Sequence, residues 1–362
     1  MASRVPLPLL ALLLALPVTA AGATPPATPP AGRPKACALS RSDRAWLQGA
    51  LADWGRVSRD FLRQPTDALP WVVLLGRDCA WHLAADTRPG APPLPAGTAP
   101  APGPAPVFAG RPVPLLAGPH AGSVPVPGGG EVPARPLAFA GTYREDTAAF
   151  FVMALPSLWR EDPRHAAEAD LPGLLRQVLV HEMTHTRQAL GVGRRFEALG
   201  KQYGLALDFD DDVIQQRYGK DADFRAAWEA ERDLLFRAAA APDTATRRAL
   251  ARQALEAART RRARHFTGEH AVYGELEDLF LGLEGAGQWA AWKLARARAP
   301  RAVGDAQVLA AVRRGGPFWS QDEGLALFLV LDALLPGWQA RVFSDTPPSV
   351  FALLTEATAG EG

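Results

Sequence analysis

The chain predicts an α+β fold that is mainly α, with a small strand-bearing N-terminal part packed on a larger helical part. Three observations predict this. Much of the Gly (33) and Pro (34) falls before Pro163, where it breaks the chain into short pieces. Two compact apolar runs, Trp71-Val72-Val73-Leu74-Leu75 and Phe150-Phe151-Val152-Met153-Ala154-Leu155, have the length of buried strands. After Pro163 the composition turns to Ala, Leu and Arg, and apolar residues recur at helical spacing.

The elements follow in order. Arg4, an apolar stretch from Leu7 to Leu16 and the small residues Ala20 to Ala23 have the form of a secretory signal peptide over 1–23. The apolar run is shorter than the ~20 residues a bilayer span needs, so no membrane span is expected after cleavage. A Pro-rich leader occupies 24–35. The strand-bearing subdomain is assigned to 36–162 and the helical subdomain to 163–362. Ser40 or Ser42 can cap a helix reaching Arg63, with Trp46, Leu47, Ala50, Trp54, Val57 and Phe61 on its apolar face. Residues 88–119 are so rich in Pro, Ala and Gly that they read as a long surface loop without helix or central strand. Helices are expected near 171–190, 194–203, 212–219, 222–239, 244–264, 268–296, 304–314, 320–335 and 348–357.

Composition excludes some classes. Lys+Arg 39 against Asp+Glu 38 leaves a net charge of +1, which argues against a nucleic-acid binder. The arginines of 247–264 form a basic stretch, read as a charged helical face. The two cysteines, Cys37 and Cys79, suit a disulfide in an oxidising compartment and are too few for a structural zinc site. Secretion or a periplasmic location is therefore expected.

The chemistry lies in His181-Glu182-Met183-Thr184-His185, an HExxH sequence. On a helix, residues four apart share a face, so both imidazoles can reach one metal ion. Glu182 then stands beside the first ligand as a candidate base. Zinc held by three protein ligands keeps a fourth position for water and lowers that water's pKa to about 7. Asp170 is the expected cap of this helix, with Pro172 in its first turn. Position 192 is Val, so the third His of the extended HExxHxxGxxH pattern is absent and a downstream carboxylate is needed.

The helix over 268–296 offers several. Glu284 lies among Phe280, Leu281 and Leu283, where a lone carboxylate is costly to bury unless it is paired or binds metal, and Gly285 beside it permits close approach of another helix. Glu284 is the first choice, and Glu277 follows as a ligand or as a partner that orients the His rings. Glu323 is a third candidate, with a capping box from Ser320 as its alternative role. His270 and Tyr273 are candidate catalytic donors to a developing oxyanion. The acidic run Asp208, Asp210, Asp211 and Asp212 is a weak calcium candidate, without EF-hand spacing.

HEMTH followed by a distant Glu-Gly in LEGAGQW resembles the gluzincin group of zincin metallopeptidases. The likeness covers two short motifs. The separation of His185 from Glu284 exceeds that of the compact thermolysin-type pattern, and no Asp stands four residues after Glu284. The resemblance implies His181, His185 and Glu284 as Zn2+ ligands, Glu182 as the base, and a strand-bearing part lying over the HExxH helix. A secreted zinc-dependent hydrolase acting on a peptide or protein is the leading expectation, with Phe150–Leu155 as an edge strand for an extended substrate. The alternative is an exported zinc-binding structural or binding protein without turnover.

Overall fold

The computed structural model describes residues 11–12, 37–86, 91–143, 148–203 and 212–359. The Pro-rich leader, and the signal peptide apart from Ala11 and Leu12, lie outside them. Helix α1 spans Arg41–Asp60, and its cap is Ser40, whose hydroxyl accepts the Asp43 N–H at 3.0 Å. The principal strands are β1 (Trp71–Leu75), β2 (Cys79–Leu83), β3 (Leu115–Pro119), β4 (Ala138–Tyr143) and β5 (Ala148–Ala154). The principal helices after them are α2 (Leu171–Gln188), α3 (Ala222–Ala240), α4 (Thr244–His265), α5 (Val272–Arg298), α6 (Asp305–Arg313), α7 (Trp319–Leu334) and α8 (Val350–Ala359). The fold is mainly α with a small strand-bearing N-terminal part.

The sheet runs in the order Ala11–Leu12, β4, β5, β1, β2, β3, Ala99–Pro100. All pairs are antiparallel except β5 with β1, where Phe150 to Ala154 align with Trp71 to Leu75. Strand β5 is therefore central. Its other flank pairs with β4 from Ala138↔Met153 to Tyr143↔Ala148. The expectation of an edge strand at Phe150–Leu155 is corrected, because both sets of its backbone groups are already spent within the sheet. An uninterrupted apolar run is what a two-sided, central strand requires.

The Pro-rich stretch departs from expectation too. Leu115-Leu116-Ala117-Gly118 retains its N–H groups between Pro114 and Pro119, so it forms β3 on β2. Beyond it, the two-residue strand Ala99–Pro100 pairs with β3 at the margin, where proline is tolerated, and Val107–Phe108 pairs with Arg111–Pro112 in a separate two-stranded ribbon. Helix α2 packs against β4 and β5 on one side and along α5 on the other. A single apolar core joins side chains of the sheet, α1, α2, α5 and α7. Among the described residues no helix is long and apolar enough to cross a membrane.

Cys37 and Cys79 form a disulfide across a sequence separation of 42. It ties the segment before α1 to the start of β2, where Trp81 also donates its indole N–H to the Cys37 carbonyl at 3.1 Å. Replacing both cysteines by alanine should lower stability by about 4 kcal/mol on the chain-entropy model, measured by denaturant unfolding. An unchanged midpoint would show that the bridge constrains nothing.

His82 in β2 is buried and accepts the Trp71 indole N–H at its Nδ1, at 3.2 Å. Burial pushes its pKa down to about 4. An unfolded histidine titrates near 6.5, so between those values the unfolded chain binds a proton that the folded chain refuses. Stability should therefore fall as pH drops from about 6.5 to about 4 and level off below. The slope over that interval should be shallower in His82→Gln, followed by unfolding at a series of pH values.

Candidate metal centre

Local sequence places the HExxH residues. The Asp170 side chain accepts the Gly173 N–H at 3.0 Å, and Pro172 occupies the first turn of α2. The helix runs unbroken through the motif to Gln188, and a π-helical turn, Ala189–Gly193, follows. His181, Glu182 and His185 are all buried.

Glu284 arrives from α5. Its Oε2 lies 3.1 Å from His181 Nε2 and its Oε1 lies 3.5 Å from His185 Nε2. Ligand atoms of the three residues all fall within 4.8 Å of one another. Two ligands bound tetrahedrally at ~2.0–2.1 Å stand ~3.3–3.4 Å apart, so the two observed edges have the right size. His185 Nε2 and Glu284 Oε1 are buried and have no hydrogen-bond partner. A buried polar atom left so is costly unless something satisfies it. Burial pushes the His185 pKa down to about 4, leaving the neutral imidazole that ligates metal. This buried His-His-Glu group can hold a metal ion.

Glycine sets the closeness of the helices. A Cβ at Gly287 would lie 3.0 Å from His181 Nδ1 and Cε1 and from His185 Cε1, so any larger residue there would make both rings give way by a few tenths of an ångström. A Cβ at Gly285 would lie 2.7 Å from the Gly324 backbone, and one at Gly324 would lie 2.6 Å from Gly285 Cα. The close helix approach expected at Gly285 is thus made by α7, which brings Gln321 into hydrogen-bonding contact with Glu284.

A cleft of about 590 Å³ reaches the centre from outside. His181, Gln288 and Gln321 face it, and its walls include Leu174, Val178, Ala291, Val312 and Leu325.

The other sequence candidates go elsewhere. Glu277 accepts Arg261 Nη1 and Arg262 Nε, each at 2.7 Å, and the two arginines hold its pKa low against the effect of burial. Glu323 forms no capping box. The cap position of α7 is Phe318, and Glu323 instead accepts the Trp228 indole N–H. Its pKa is raised by burial and by Glu231 beside it.

His270 and Tyr273 are not brought to the triad. Tyr273 stands about three turns before Glu284, roughly 16 Å along the helix axis. His270 Nδ1 meets Tyr218 Oη at 3.0 Å and His270 Nε2 meets Arg217 Nη2 at 3.1 Å. Both residues join an aromatic group with Tyr218.

Asp208, Asp210 and Asp211 lie outside the described residues. Asp212 caps the short helix Val213–Tyr218 and also accepts the Ser320 N–H. In the basic stretch, Arg261 and Arg262 are turned to buried carboxylates, and Arg247 and Arg252 donate to backbone carbonyls of Ala241 and Thr358.

Sequence reasoning missed three residues around the triad as its partners. Gln188 Oε1 meets His185 Nδ1 at 3.4 Å, Gln288 Oε1 meets His181 Nδ1 at 3.2 Å, and Gln321 contacts Glu284. Gln288 was traceable, one turn after Glu284 on the same face. Gln321 carried no such signal, because only the crossing of α7 brings it near.

No family model matches the chain, and no curated protein or solved structure matches it either.

Gly287→Ala should weaken metal retention, because its methyl presses on both rings. The helix itself should gain up to ~1 kcal/mol from the better helix former. Chelator competition and thermal unfolding on the same sample would separate the two effects; unaltered metal retention would show that the rings have slack.

Proposed function

We propose that the protein is a secreted zinc-dependent hydrolase, a metallopeptidase of gluzincin type. The observation that carries this reading is a three-ligand His-His-Glu centre at the wall of an open cleft, with a carboxylate adjacent to the first ligand. A structural zinc site is closed by four protein ligands, whereas a catalytic one keeps a position for water or substrate. Two imidazoles and one carboxylate suit zinc among the common divalent ions. The likeness of HEMTH and LEGAGQW to gluzincin motifs supports the same assignment.

Zinc, when bound, supplies Lewis acidity, polarising a carbonyl and lowering the pKa of a water to about 7. His181, His185 and Glu284 would hold it. Glu182 takes the proton from the attacking water on its carboxylate and passes it to the nitrogen of the leaving amine. The apolar walls of the cleft exclude water from the chain being cut, and His181 marks where the scissile bond must come. Export is supported by the Arg4-to-Ala23 signal pattern and by the Cys37–Cys79 bridge, which belongs in an oxidising compartment.

The test compares wild type, Glu182→Gln and His181→Ala for bound zinc and for hydrolysis of an unstructured protein such as casein. Glu182→Gln should keep its zinc and lose activity by about 10²–10⁴-fold. His181→Ala should lose both. Undiminished hydrolysis by Glu182→Gln would overturn the assigned base. Stoichiometric zinc without turnover, together with unfolding on chelation, would favour an exported zinc-stabilised binding protein.

A further inference from the structure

We infer that Gln188 and Gln288 are positioning residues: they hold His185 and His181 as Nδ1–H tautomers and so turn both Nε2 lone pairs to the metal. This rests on the metal reading of the centre.

The argument begins at the far end of each amide. Gln288 Nε2 donates to the Val312 carbonyl at 3.2 Å, and Gln188 Nε2 donates to the Gly282 carbonyl at 2.9 Å. A carbonyl only accepts, so the NH2 end of each amide must face it. The Oε1 end then faces the imidazole, at 3.2 Å from His181 Nδ1 and 3.4 Å from His185 Nδ1. An amide oxygen also only accepts, so each Nδ1 carries the hydrogen. A neutral imidazole has one N–H, which leaves a lone pair on each Nε2.

Those lone pairs face further acceptors. Glu284 presents Oε2 to His181 Nε2 at 3.1 Å and Oε1 to His185 Nε2 at 3.5 Å. Two lone pairs opposed to a carboxylate in a buried site repel unless a cation lies among them. The amides thus favour the tautomers in which the triad can take a cation. With either ring in the other tautomer, its Nε2–H would satisfy Glu284 and that nitrogen could not ligate.

The two amides reach their rings differently. Gln188 follows His185 by one turn on α2, whereas Gln288 follows Glu284 by one turn on α5 and crosses to His181. Gln288 also faces the cleft, and its carbonyl anchor, Val312, lies on α6 in the cleft wall. An amide orients the ring without adding negative charge next to the ion, as a carboxylate would.

The experiment measures zinc affinity of the zinc-loaded full chain by competition with a chelating dye, with thermal unfolding as a control for folding. Gln288→Met and Gln188→Met keep the length and lose the acceptor. Each should weaken zinc 10–100-fold. Gln288→Glu keeps an acceptor for Nδ1–H and loses the donor to Val312, and it should stay within about threefold of wild type. Wild-type affinity in both Met variants would overturn the inference while leaving the metal reading intact. Gln288→Glu as weak as Gln288→Met would also overturn it, because the amide would then serve Val312 instead of the ring. A wild-type chain that takes up no zinc would remove the metal reading itself, and the inference with it.

Discussion

Two imidazoles and a carboxylate are buried against one another in a group that can hold a cation, and the surrounding helices keep the three side chains together. His181 and His185 come from α2 and Glu284 from α5, 103 residues after His181. The rings fit against α5 because Gly287 has no side chain, and α7 closes on α5 because Gly285 and Gly324 have none. Beneath α2, β4 and β5 of the sheet fix its depth. A larger side chain at Gly285 or Gly324 would push α5 and α7 apart, and one at Gly287 would press on the two rings.

The carboxylates of α5 illustrate how surroundings assign roles to like residues. Glu277 and Glu284 are two turns apart on one face and both buried, yet they do different work. Glu277 is neutralised by Arg261 and Arg262 from α4. Arg261 also donates to Glu231 of α3 at 2.9 Å, so α3, α4 and α5 meet at one guanidinium. Such a buried charge is tolerable only while its partners remain, and removing one typically costs 3–5 kcal/mol. Among the described residues no arginine pairs with Glu284. Its neighbours are two imidazoles and the Gln321 amide, a set that can also admit an ion.

The same logic explains the glutamines. A metal-binding imidazole needs an acceptor behind it, and here the acceptors are amides whose other ends are fixed to backbone carbonyls. Those anchors, Gly282 and Val312, belong to α5 and α6. Ring orientation is thereby tied to the main chain of two helices, both of which line the cleft.

Sequence alone determined what a few neighbouring residues can encode. Helical periodicity and the Asp170 cap located α2, the HExxH spacing put two imidazoles on one face, and the pairing of Cys37 with Cys79 followed from their being the only two cysteines. The apolar neighbourhood of Glu284 and the glycine after it pointed to the third member of the group. Tertiary structure decided which distant groups meet. It set β5 in the middle of the sheet, drew β3 out of a Pro-rich stretch, gave Glu277 to arginines and Glu323 to Trp228, and left His270 and Tyr273 in an aromatic group away from the centre. Caps and periodicity arise from contacts within a turn or two, which the local sequence carries. The choice among similar carboxylates, or among histidines, depends on what another helix brings opposite them, and no local pattern records that.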